Sequence, residues 1–336
     1  MRLTMKRLLA KKELTITLML VIIMVVISIV NPVFLRLDNI MDILRSNCVL
    51  GILACGMLLV ILTGGIDVSV GAVISASSCI VGTFLINITG NIVLSIVVGV
   101  LSGAAMGLLN GLLVAKLEIA PIVITLGTLS IINGIVKYTT NGTWITNIPK
   151  NFINFGQISF FAIPVAGVKK LVGIPVQVVF LAIIVLITWL ILKYTMFGRS
   201  VYAIGGNRIS AERIGYNVKR TEILIYTYLG ALAGVASVVH TSIYRQVDPN
   251  SFTGYEIQVI AAVVIGGASS TGGYGSVLGV MLGCALMSVL NNGLILMRIP
   301  TFWQKIVFGL IILLAVSFEA INKQRLEKKS VRVDVE

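Results

Sequence analysis

Charge is scarce in this sequence. Of its 336 residues only 12% are Asp, Glu, Lys or Arg, while 57% are apolar, and the mean hydropathy is +1.02. A soluble domain carries about twice that charged fraction, so a water-soluble globular fold is excluded. Histidine is nearly absent: His240 stands alone. With no H-E-x-x-H and no Cys/His cluster it lacks the partners of a catalytic or metal site and reads as a structural histidine. The four cysteines, Cys48, Cys55, Cys79 and Cys284, lie in or beside apolar stretches without a C-x-x-C pair. That excludes a disulfide or metal framework and leaves small packing residues. The glycine-rich run from Gly266 to Gly275 lacks the G-K-[ST] ending of a phosphate-binding loop, so nothing in it suggests that this chain hydrolyses ATP by itself. Strict polar/apolar alternation is missing as well. Leu18 to Ile27 is continuously apolar, which rules against a membrane barrel.

What is present is a series of apolar stretches near the roughly 18 to 20 residues needed to cross a bilayer as helix. The pattern predicts an all-α polytopic membrane protein with about ten helical segments, at 14–30, 46–62, 70–86, 92–114, 120–136, 173–192, 222–242, 256–267, 275–292 and 302–320. The eighth is too short to span alone and reads as a half-helix or part of a broken one. The basic start followed by Leu14 to Val30 resembles a signal peptide, but the run is long and no A-x-A-like site follows, so it reads as an uncleaved first span. With both termini in the cytoplasm, 17 of the 26 Lys and Arg residues fall inside, as basic residues do in membrane proteins. The net charge of +13 therefore needs no nucleic acid. One membrane-spanning domain over 1–336 is expected, with cytoplasmic tails at 1–13 and 321–336.

The most informative segment is Thr63-Gly64-Gly65-Ile66-Asp67-Val68-Ser69-Val70-Gly71. It places a carboxylate on a glycine-rich break between two apolar stretches. Irregular backbone and charge at bilayer depth are tolerated only where protein or a water-filled cavity surrounds them, which points to a polar pathway. An ordinary turn at the membrane surface is the alternative. Two loops are long: an outer one at 137–172, and a basic inner one at 193–221 holding Gly205-Gly206-Asn207 and Glu212-Arg213 before Gly215. The inner loop suits either a motor protein or lipid headgroups. Asn110-Gly111 and Asn292-Gly293, each followed by a proline, fit a weak inverted repeat or chance.

Three motifs in order resemble a known family. They are Thr63 to Gly71; Gly198-Arg199-Ser200-Val201-Tyr202-Ala203-Ile204-Gly205-Gly206-Asn207 continuing to Gly215; and Gly254-Tyr255-Glu256 with Ile260 to Gly267, Gly272-Gly273 and Leu290-Asn291-Asn292-Gly293. Together they look like the ribose/galactose/xylose-type ABC sugar importer permeases, over about residues 14–320. The resemblance implies a bacterial inner-membrane translocation subunit, not an enzyme and without cofactors. It implies a cytoplasmic ATP-binding-cassette partner, a periplasmic sugar-binding protein and a second permease chain.

On that reading Gly64, Gly65, Asp67 and Gly71 form a structural break, with Asp67 capping a helix N-terminus. Ser69, Asn110, Asn133, Gln258, Asn291 and Asn292 are pathway candidates, because a sugar leaving water needs replacement hydrogen bonds. Arg199, Gly205, Gly206, Asn207, Glu212, Arg213 and Gly215 are ATPase-coupling candidates. Arg245, Asp248 and Glu256 are candidates for docking the binding protein. The alternative is an ion-coupled secondary transporter using Asp67 and Glu256.

Overall fold

A computed structural model describes residues 12–300, apart from 166, 169 and 170, together with residues 302–304, 306–310, 313 and 317. Eight of its helices are long and apolar enough to cross a membrane. They are α1 (Lys12–Val30), α2 (Leu37–Leu62), α3 (Val70–Asn87), α4 (Ile92–Leu117), α5 (Pro121–Thr140), α7 (Val176–Tyr194), α10 (Val218–Tyr244) and α12 (Val277–Leu296). Shorter pieces among the described residues include a 3-10 turn at Pro32–Leu35, α6 (Lys150–Gly156), a hairpin of β1 (Ser159–Ile163) and β2 (Val172–Pro175), α8 (Met196–Gly206), α9 (Arg208–Arg213) and α11 (Tyr255–Ile265). Of the expected tenth segment, 302–320, the described residues 302–304, 306–310, 313 and 317 are helical, and the others lie outside the described residues.

The segment expected at 46–62 begins instead at Leu37. Its first turns carry Asp38, Asn39, Asp42 and Arg45, which by polarity alone read as loop. Arg36 grips Asp38 through two hydrogen bonds of 2.9 and 3.0 Å, and Asn39 exchanges amide bonds with Asn292. Those partners let a polar stretch continue the helix. From Asn47 to Leu62 every residue of α2 is buried, so α2 is the centre of the bundle. By contrast α1, α4 and α7 turn Ile22, Ile29, Val93, Leu101 and Ile183 outward. That is the surface expected against lipid, where apolar side chains carry no penalty.

The closest helix packing is between α4 and α10. Gly99, Gly103, Gly107 and Gly111 recur at every fourth position on one face of α4. A Cβ at Gly103 would overlap the carbonyl of Gly230, one at Gly107 the carbonyl of Tyr226, and one at Gly234 the carbonyl of Gly99. The two backbones therefore run antiparallel in direct contact. With lipid as apolar as any side chain, the packing that such close backbone approach allows is one of the forces that associate membrane helices.

The two ends of the bundle differ. At one end, which carries Lys116, Lys193, Arg199, Arg208, Arg213, Lys219 and Arg220, Lys219 meets Glu118 at 3.0 Å and holds that carboxyl below its ordinary range. At the other end α6 is tied down. Gln177 donates to Gly156 O and Ser242 Oγ (2.9 and 3.0 Å), and Asn151 donates to Gly90 O (2.6 Å).

The glycine seam generates a clear expectation. Gly103→Ala forces two backbones apart and should cost about 1–3 kcal/mol. Gly127→Ala on α5, where a Cβ meets nothing within 4 Å, should be neutral or slightly stabilising. Thermal melts of the detergent-solubilised chain compare the two. Equal melting temperatures would show that the seam contributes no stability.

Candidate functional site

The break lies between α2 and α3, at the basic end. Gly64, at φ +81°, ends α2: its N–H bonds Ile61 O (2.9 Å) and Gly65 N–H bonds Val60 O (3.1 Å). That is a left-handed helix stop which L side chains resist. The chain then turns inward instead of leaving the bundle. Asp67 is buried, and its Oδ1 accepts from Ser69 N–H (2.7 Å) and Ser69 Oγ (2.6 Å). Ser69 is the residue before α3, so the carboxylate sits at the helix start, where a negative charge is favoured. Asn110 of α4 donates to Ser69 Oγ (2.7 Å), and Val68 N–H donates to Thr125 Oγ1 of α5 (3.1 Å). Tyr226 of α10 stands over the loop, its Oη 3.0 Å from where a Gly65 Cβ would be. Four helices thus hold one irregular segment.

The expected pathway residues fall into separate places. Ser69 and Asn110 join the Asp67 network and are fully buried. Asn292 forms the reciprocal pair with Asn39 (2.8 and 3.0 Å), which uses both ends of its amide and fastens α12 to α2. Asn133, Gln258 and Asn291 are half-buried on α5, α11 and α12. Asn110 Oδ1, Tyr226 Oη and Glu256 Oε2 are buried without a partner among the described residues, so the interior keeps unpaired polar atoms beside the break.

At the end away from the basic face, α10 stops at Arg245 (φ +60°) and residues 245–254 turn back into the bundle. Pro249 O accepts from Ser75 Oγ of α3 (2.7 Å), and Phe252 O comes against Gly71. The short α11 then continues, so the eighth segment is a half-helix preceded by irregular chain. This placement matters for Glu256. Expected on an exposed rim, it is buried against Gly71, where the missing Cβ leaves room for its carboxylate. Arg245 is exposed and Asp248 half-buried. A cavity of about 290 Å³ opens here, with Trp144, His240, Tyr244, Gln246 and Asp248 among its walls.

The basic end carries the loop from α7 to α10. Asn207 caps α9, accepting from Ser210 N–H (2.9 Å), and Gly215, at φ +97°, ends it. Arg208 pairs with Glu222 and ties α9 to α10. Arg199, Gly206, Asn207, Glu212 and Arg213 are exposed, and Ile209 and Ile214 are 63% and 73% exposed. Gly205 is packed tightly: a Cβ there would overlap Leu62 O, which also accepts Gly273 N–H (2.8 Å). Tyr202 Oη donates to Gly275 O (2.9 Å). The end of α2, the end of α8 and the turn between α11 and α12 therefore meet backbone to backbone.

Residues 39–316 match the family described as branched-chain amino acid transport system / permease component. The chain belongs to this permease family. It is 40% identical over 299 residues to the ribose import permease protein RbsC of Bacillus subtilis strain 168, covering 88% of this chain and 89% of the relative. It is 33% identical over 298 residues to RbsC of Escherichia coli K12, covering 88% and 90%. It is 34% identical over 324 residues to the autoinducer 2 import system permease protein LsrC of Klebsiella pneumoniae, covering 96% and 91%. No solved structure matches.

The permease is thus a multi-pass protein of the bacterial inner membrane and a translocation subunit rather than an enzyme. Its ATPase and its binding protein are separate chains. Sequence reasoning had not named Thr125, Tyr226, Ile209, Ile214 or the cavity residues Trp144, Tyr244 and Gln246. Exposed isoleucines on a charged loop were a usable signal. Thr125 and Tyr226 carried none, since only folding brings them to Asp67.

The Asp67 network predicts coupled energetics in the permease. Asp67→Asn and Asn110→Leu should each lower stability by about 1–3 kcal/mol. Together they should cost less than their sum by about 0.5–3 kcal/mol, because both act through Ser69. Melting of the two single variants and the double variant tests this, and strict additivity would show that the residues act independently.

Proposed function

We propose that this permease passes a monosaccharide or sugar-derived small molecule into the bacterial cytoplasm, as one of two permease chains in an ATP-driven importer. The observation that carries this reading is its likeness, over at least 88% of its length, to ribose and autoinducer 2 import permeases. The ion-coupled alternative is disfavoured by the same comparison, and Asp67 Oδ1 is already committed to Ser69.

In this reading the basic end faces the cytoplasm, in keeping with the positive-inside rule. The cytoplasmic ATPase seats α9, with Ile209 and Ile214 as apolar anchors among Arg199, Glu212 and Arg213. Desolvated apolar anchors inside a polar rim are the usual anatomy of such contacts. Movement of α9 reaches the membrane through Gly205, which bears directly on Leu62 and Gly273. Leu62 leads into the Asp67 break, and Gly273 leads back to the half-helix α11. One displacement therefore biases both irregular segments that interrupt the bundle. The periplasmic binding protein docks at the opposite mouth, near the exposed Arg245 and Asn250. It provides the selectivity, so the conduit itself needs only scattered polar atoms: Ser69, Asn110, Asn133, Gln258 and Asn291, with Asn292 a fastener at its edge.

The coupling arrangement is tested with Arg213→Glu combined with Ile214→Asp, expressed together with the ATPase and the binding protein. Both side chains are exposed, so the permease should insert normally. Co-purification of the ATPase and ATP-driven uptake should both fall at least about tenfold, the effect of losing roughly 1.4 kcal/mol of contact. Full uptake with this variant would remove α9 from the coupling surface.

A further inference from the structure

The cavity at the end away from the basic face has no part in the break, in the coupling loop or in the helix seams, yet it is built. Its volume of about 290 Å³ lies at the small end of ligand pockets, which run from roughly 300 to 1,000 Å³, and suits one sugar ring. Its wall is held by an isolated β-bridge. Ile145 N–H bonds Val247 O (2.8 Å) and Val247 N–H bonds Ile145 O (2.9 Å). That bridge brings Trp144, Gln246 and Asp248 to one cavity, although Trp144 comes from a distant part of the chain. Below them the His240 ring lies between Tyr244 and Phe252, with centroids 4.5 and 4.6 Å away. Trp144 is 56% and Tyr244 55% exposed.

We propose that this cavity is a low-affinity reception site for a neutral monosaccharide, stacked by Trp144 and Tyr244 and hydrogen-bonded by Asp248, Gln246, His240 and Ser46. The assignment rests on the importer reading and adds a place where the solute pauses before the break. The chemistry selects the class. Asp248 Oδ1 takes Asn250 N–H (2.9 Å), and its Oδ2 makes no hydrogen bond among the described residues. The side chains of Gln246, His240 and Ser46 make none either. An apolar occupant would leave these groups dry and unpaired, an unfavourable arrangement. An anion would face the carboxylate. A simple cation could use Asp248 and the other acceptors but would leave the N–H donors of Gln246 and His240 without an acceptor. A cyclic polyol offers both donors and acceptors to these groups, and the C–H face of its ring to the aromatic walls, whose π-faces are electron-rich.

The test is saturation-transfer NMR on the full-length permease in lipid nanodiscs, without ATPase or binding protein, using D-ribose, D-xylose and D-galactose as probes. At least one sugar should give a saturable signal at millimolar concentration. Asp248→Asn and Trp144→Leu should each weaken that binding at least about tenfold, and both variants should still elute as folded protein. Absence of a saturable signal from all three sugars, or a signal that either folded variant retains in full, overturns the proposal. A variant that fails to fold is replaced by Gln246→Leu, read by the same criterion. ATP-driven uptake by the complete importer separates the two readings. Uptake without a cavity signal sinks the reception site alone. A cavity signal without any ATP-driven uptake of these sugars sinks the importer reading instead.

Discussion

Direct backbone contact between α4 and α10 is the constraint on which the functional region depends. Gly99, Gly103, Gly107 and Gly111 let the antiparallel helices approach until side chains no longer fit between them. The same approach puts Asn110, one residue before Gly111, within 2.7 Å of Ser69, and brings Tyr226 over Gly65. A wider separation would take Asn110 away from Ser69 and leave the Asp67–Ser69 pair with no hydrogen-bond partner on α4. Buried polar groups are tolerated in proportion to the hydrogen bonds that satisfy them. The seam therefore does more than join two helices: it supplies the surroundings that let an irregular, charged segment exist inside a membrane bundle.

Around that seam the chain is interrupted twice, at residues 63–69 and at 245–254, and the two interruptions communicate. Gly71 sits against Glu256 and Phe252, while Leu62 sits against Gly205 and Gly273. Broken helices of this kind are where transporters bind and pass their solutes. Here both breaks end in contacts where even a methyl group would clash, Gly71 on Phe252 O and Gly205 on Leu62 O, with no side chain between them to adjust. Close packing transmits displacement because the interior compresses little. In the importer proposed above, these contacts are the route by which displacement at the ATPase would reach polar atoms within the bilayer.

Much of this was legible in the sequence, and the exceptions have identifiable causes. Helices with uniform apolar content, such as α1, α7 and α12, follow directly from hydropathy. The Thr63–Gly71 break announces itself because glycine, carboxylate and hydroxyl coincide where apolar chain is expected. The start of α2 was not legible, since Asp38, Asn39 and Asp42 look like loop until Arg36 and Asn292 are known to pair with Asp38 and Asn39. The four-residue glycine repeat of α4 was visible in the sequence, but its partner face on α10 is less regular: Gly230 and Gly234 continue into Tyr226 and Ile223. Glu256 was misplaced to the rim because its burial depends on Gly71, far away in sequence. The reception cavity gathers residues from α2, from the segment after α5 and from the end of α10, and nothing local marks them as neighbours. The two Asn-Gly pairs play related parts, each asparagine bonding across to another element while its glycine packs on a helix, Gly111 on Ile223 and Gly293 on Ile27.

The central claim is that Asp67 supports a passive conduit whose energy comes from a partner, and does not bind a coupling ion. Proteoliposomes decide it most directly. The permease is reconstituted alone, or with its ATPase and the sugar-binding protein, and uptake of labelled sugar is followed with internal or external ATP, sodium and proton gradients. The account predicts uptake only when both partners are present and ATP reaches the ATPase, with no response to either gradient. Gradient-driven uptake by the permease alone, abolished by Asp67→Asn, would contradict it.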